Sequence, residues 1–74
     1  MNNTYINYKE KKLEKLISWQ RLLLEIIAKH RAMISREKNK QLIEYLEERI
    51  IICKQELKQY QREIKELQGL LTLN

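Results

Sequence analysis

The sequence has no proline and no aspartate, and among its 74 residues there is one glycine, one cysteine, one histidine and one tryptophan. Each shortage removes a class of structure or chemistry. With no proline and a single glycine, turn-rich β architectures and glycine-rich phosphate loops lack the residues they are built from, and helix is what remains. One cysteine excludes an internal disulfide, and a lone thiol on an apolar seam suits a reducing compartment. His30 and Cys53 each stand alone, and Glu25 and His30, five apart, do not share a helix face. No set of three or four metal ligands can therefore be drawn from the usual spacings. The four tyrosines pair with no base in a nucleophilic arrangement. The longest apolar runs, at 22–24 and 50–53, stop far short of the ~18 residues of a membrane span. The polar start Met1-Asn2-Asn3 does not read as a signal peptide. The expectation is a cytoplasmic, non-membrane protein that is not an enzyme, with no catalytic residues, no cofactor and no metal.

What is present is a heptad seam. From Ile43 to Leu67 the positions Ile43, Leu46, Ile50, Cys53, Leu57, Tyr60, Ile64 and Leu67 step by three and four without interruption. At ~100° per residue these side chains form one stripe on a helix. Ile43, Ile50, Leu57 and Ile64 take the a positions, and Leu46, Cys53, Tyr60 and Leu67 the d positions. Such a seam requires a partner helix.

The first half of the chain is apolar around more of its circumference. Its seam reads Leu13, Leu16, Gln20, Leu23, Ile27, His30 and Ile34, with Ile17 and Leu24 on one flank and Trp19, Ile26 and Met33, with Leu22 beyond, on the other. The apolar arc is about 220°, against the ~100° that one neighbour covers. This helix therefore needs more than one partner. His30 and Cys53 on the seams are expected to be packed side chains, not ligands, and Gln20 to fix register.

Between the two patterns lies Ser35-Arg36-Glu37-Lys38-Asn39-Lys40-Gln41, wholly polar. Continuing the first seam would place a residues at Gln41 and Glu48, whereas the apolar set resumes at Ile43 and Ile50. A two-residue slip of ~200° prevents one straight helix from keeping both stripes on one side. The predicted fold is all-α. Helix 1 spans about 8–34, opened by Asn7 as N-cap with Glu10 at N3, and the turn spans about 35–40, with Ser35 or Asn39 as a cap. Helix 2 spans about 40–68, ended by Gly69 as a left-handed C′ residue with Leu70 packed back on Ile64. An apolar tail at 70–73 caps the bundle or serves as a short recognition motif. Residues 1–6 are expected to fray. The single domain is an antiparallel coiled-coil hairpin, dimerising into a four-helix bundle. The alternative is one continuous helix of roughly 90 Å in a coiled-coil dimer.

The net charge is +5, and it sits in one half. Residues 1–38 carry nine Lys or Arg against four Glu, whereas residues 39–74 carry six of each. Lys9, Lys11, Lys12 and Lys15 crowd the first turns, where cations oppose the helix dipole. They are either a solvated end beside Glu63 and Glu66 or a contact for an anionic partner, and on the second reading the basic half binds nucleic acid. Against that, glutamates 10, 14, 25 and 37 are interspersed and no helix-turn-helix pattern is legible. The surplus apolar stripe is the better clue. Trp19, Leu22, Ile26 and Met33 on helix 1, with Tyr45 and Ile52 on helix 2, are residue types that dominate protein interfaces. The sequence thus points to a small protein-interaction module: a homodimer, a ligand of a larger protein, or both. It would act as a regulator, adaptor or inhibitor by occupying a partner's surface. A composition rich in Lys, Ile, Asn and Tyr, without Asp, suggests an AT-rich bacterial or phage genome.

Overall fold

A computed structural model describes residues 2–72, with side-chain surroundings given for residues 6–71. Two helices, α1 (Asn2–Arg36) and α2 (Lys40–Thr72), fold back on each other. The Cα trace measures 58 × 14 × 13 Å. A hairpin of this length replaces the single rod of roughly 90 Å.

The packing follows one rule along the whole length. On α1 the a positions are Ile6, Leu13, Gln20, Ile27 and Ile34, and the d positions are Lys9, Leu16, Leu23, His30 and Glu37, just past the helix end. On α2 the seam from Ile43 to Leu67 continues to Leu71. Every one of these residues is buried or half-buried. Off the seams, among the described residues, only Ile17, Ile26, Leu42 and Glu63 are less than exposed. Ile17 holds an e position and the other three hold g positions, where side chains lean over the seam from its flanks. Two buried clusters, with the buried Leu46 nearer the turn, form the core. Leu23, Ile27, Ile50 and Cys53 make one toward the middle, and Leu16, Ile64 and Leu67 make the other toward the open end. Tyr60 packs against both.

The reversal takes only the three residues 37–39. The Asn39 side-chain Oδ1 accepts the backbone N–H groups of Gln41 (3.0 Å) and Leu42 (3.3 Å), and the Asn39 carbonyl accepts Ile43 N–H at 3.0 Å. That is an N-cap satisfying donors that the first turn leaves orphaned. Glu37 Oε1 accepts the backbone N–H groups of Lys38 and Asn39, each at 3.0 Å, so nearly every amide of the bend has a partner. Ser35 does not cap α2; its hydroxyl donates back to the Ala32 carbonyl at 2.7 Å.

Both outer helix ends differ from the sequence expectation. α1 begins at Asn2, six residues before the expected Tyr8, and Asn7 is an exposed position inside the helix, not a cap. Nothing between 2 and 7 breaks a helix, and Ile6 and Lys9 extend the seam onto α2. α2 runs through Gly69 to Thr72, and no described residue has positive φ. Gly69 is therefore an ordinary helical residue. Leu71 at the next a position is half-buried, so the seam carries the helix onward, while Leu70 is exposed and not folded back on Ile64. Leu73 lies outside the described residues.

Candidate interaction surface

In an antiparallel pair the g flank of one helix meets the g flank of the other, and the e flanks meet on the opposite side. The c positions lie just outside the g positions and widen that face. On α1, Trp19, Ile26 and Met33 are g residues, and Tyr8, Leu22 and Lys15 are c residues. On α2, Leu42 is a g residue, and Tyr45 and Ile52 are c residues. All six side chains expected at an interface therefore fall on one face of the hairpin, at steps of three, four and seven residues on α1 and of seven on α2.

Five of them are largely solvent-facing: Trp19, Leu22, Met33, Tyr45 and Ile52 retain between 45% and 56% exposure. Ile26 is the exception, half-buried against the Leu23–Ile27–Ile50–Cys53 cluster. The two helices contribute to one shallow groove of about 270 Å³ lined by Trp19, Leu22, Leu23, Glu56 and Tyr60. At its floor the Trp19 and Tyr60 rings are 5.7 Å apart and tilted by 45°, within the range of favourable aromatic pairing. The indole is thus anchored along one side and presented along the other.

Two residues of this face escaped the sequence reading. Leu42, placed there in helix 2 but not on the face, is half-buried beside the seam; its g position, one residue before Ile43, was the available signal. Tyr8, assigned to the start of α1, is 63% exposed and extends the face toward the open end. Leu24 and Ile51 are also exposed, but they lie on the e and b positions of the opposite side.

The four lysines do not act as one patch. Lys11, Lys12 and Lys15 are exposed and line a shallow depression with Tyr8, whereas Lys9 sits half-buried at a d position of the seam. His30, on the seam, donates from Nδ1 to the Ile26 carbonyl at 2.9 Å, which satisfies a polar side chain with its own helix. Cys53 is a buried free thiol. Among the described residues no group of three or more His, Cys, Asp or Glu is arranged to hold a metal ion. No helix there is long and apolar enough to cross a membrane. No protein family, characterised protein or solved structure matches the chain.

Proposed function

We propose that the protein is a non-enzymatic interaction module that works by laying the g/c face of its hairpin against another protein surface. It would serve as a regulator, adaptor or inhibitor through steric occupation. One observation carries this reading: Trp19, Leu22, Met33, Tyr45 and Ile52 are each about half exposed and all on one side. Exposed apolar residues scattered singly are normal, but several gathered on one side of a hairpin and rimmed by charge are what a binding surface looks like. Trp and Tyr supply large contact area at low entropic cost, and Met33 adapts to an irregular partner. The basic start of α1 supports a nucleic-acid partner less well, because Lys9 belongs to the seam and Glu10 and Glu14 flank the remaining lysines.

The test compares the wild-type chain with the double variant Leu22→Glu, Ile52→Glu as bait. Both positions are exposed, so the variant is expected to keep its helical circular dichroism while losing proteins that the wild type retains. Equal retention by both baits refutes docking of the face on a different protein.

A further inference from the structure

The charges around this face say what covers it. The g and c positions of α1 carry Lys12, Lys15, Lys29 and Arg36 and no acid. Those of α2 carry Glu56, Glu63 and Glu66 against the single Arg49. A surface with one basic edge and one acidic edge is complementary to itself when α1 of one copy lies over α2 of another. The face also changes character along its length. Counting from the turn, Met33, Tyr45, Ile26, Ile52, Leu22 and Trp19 occupy the first nineteen residues of either arm. The lysines and glutamates 12, 15, 63 and 66 lie between twenty-three and twenty-eight, with exposed Tyr8 and Leu70 on the same face beyond them.

We infer that the face is covered by a second copy of this chain, with the two-fold axis parallel to the helices and both turns at the same end. This deepens the interaction reading above and rests on it. In this arrangement each position of α1 lies level with the α2′ position equally far from its own turn. Leu22 and Ile26 then meet Ile52 of the other copy, Met33 meets Tyr45, and Lys12 and Lys15 meet Glu63 and Glu66. Lys29, Arg36 and Arg49 interrupt the apolar half, but their stems are long enough to carry the charge to the rim, and Glu56 lies at the edge of the groove level with Trp19 of the other copy. The other face-to-face two-fold, with turns at opposite ends, sets Lys15 level with Lys29 of the second copy. It also buries Lys12 and Glu63 against Met33 and Tyr45, leaving charges desolvated without partners. The area suffices: a face of 58 × 14 Å is on the order of 800 Å² per copy, the size of a standard stable interface. The product is a four-helix bundle in which every adjacent pair of helices is antiparallel.

The experiment joins mass to orientation. The full chain is measured by light scattering from low micromolar to about 100 µM, a range reaching well above typical specific affinities. In parallel, a nitroxide is placed on Lys38→Cys in a Cys53→Ala background for pulsed electron paramagnetic resonance. The expected result is twice the 9.1 kDa chain mass, with turn labels separated by less than roughly 25 Å, one helix spacing of about 10 Å plus the two label linkers. A dimer with labels approaching the 58 Å length of the hairpin overturns the arrangement but leaves the face as an interface. A chain that stays at 9.1 kDa overturns self-association, and the bait comparison above then decides separately whether the face binds another protein. Should Cys53→Ala fail to fold, native mass spectrometry of two charge variants replaces the labels. Lys12→Glu, Lys15→Glu mixed with Glu63→Lys, Glu66→Lys is expected to give heterodimer in several-fold excess over the statistical share. A statistical mixture overturns the same-end arrangement.

Discussion

Leu22, Leu23 and Leu24 are consecutive, chemically identical and on one helix, yet they point in three directions. Leu23 is 7% exposed in the central cluster, Leu22 is 53% exposed on the g/c face, and Leu24 is 46% exposed on the opposite flank. Replacing each with alanine changes helix propensity equally, so differences in stability report burial alone. Leu23→Ala removes a fully packed side chain and leaves a cavity, costing about 2–3 kcal/mol. That is the lower part of the usual range, because a core one layer thick can relax. The other two lose only what half-burial supplies, about 1 kcal/mol or less. Urea unfolding followed at 222 nm, with a slope of ~1 kcal/mol/M for so small a chain, should move the midpoint by ~2–3 M for Leu23→Ala and by ~1 M or less for its neighbours. Repeating the melts at hundredfold higher protein concentration adds a second axis. If a second copy covers the g/c face, the Leu22→Ala cost grows with concentration while the Leu24→Ala cost does not. Equal costs for all three would refute the seam assignment. A concentration-dependent Leu24→Ala with a constant Leu22→Ala would move the interface to the wrong side of the hairpin.

Two further predictions concern the helix ends. Asn39→Ala removes the acceptor of the Gln41 and Leu42 amides and is expected to cost about 1 kcal/mol, with Asn39→Asp retaining most of the stability; an unchanged urea midpoint for the alanine variant would show that the cap contributes nothing. Gly69 is helical with open space around it, so Gly69→Ala should stabilise by about 0.5–1 kcal/mol in thermal melts. Destabilisation instead would mean that the residue adopts the left-handed conformation of a helix stop.

The seams were legible in the sequence from Leu13 to Ile34 and from Ile43 to Leu67, down to Gln20 and His30 among apolar neighbours, while Ile6, Lys9, Glu37 and Leu71 extend them. A 3.5-residue repeat is a geometric demand of two helices in contact, and any residue at such a position is carried to the interface whatever its polarity. Helix ends were legible only where a cap had no rival. Asn39 works because the chain must reverse there, whereas Asn7 and Gly69 have the right residue type in a place where Ile6 and Leu71 reward continuing the helix. The exposed stripe was visible on each helix separately. That the two stripes join into one face depends on which flanks an antiparallel pairing brings together, a property of the pair and not of either segment. Leu42 was missed for the same reason, since its g position joins the face only once the two helices are paired.

The brevity of the bend has a kinetic corollary. A chain that reverses over residues 37–39 can zip shut from there, because contacts near the turn close the smallest loops at the least entropic cost. The pairing of Leu16 with the Ile64 and Leu67 layer closes a loop several times longer and is the first to open when the hairpin breathes. The greasy half of the g/c face is carried by the arm segments that close first and part last, so a docking partner meets it already assembled while the lysine- and glutamate-lined ends are still free to separate.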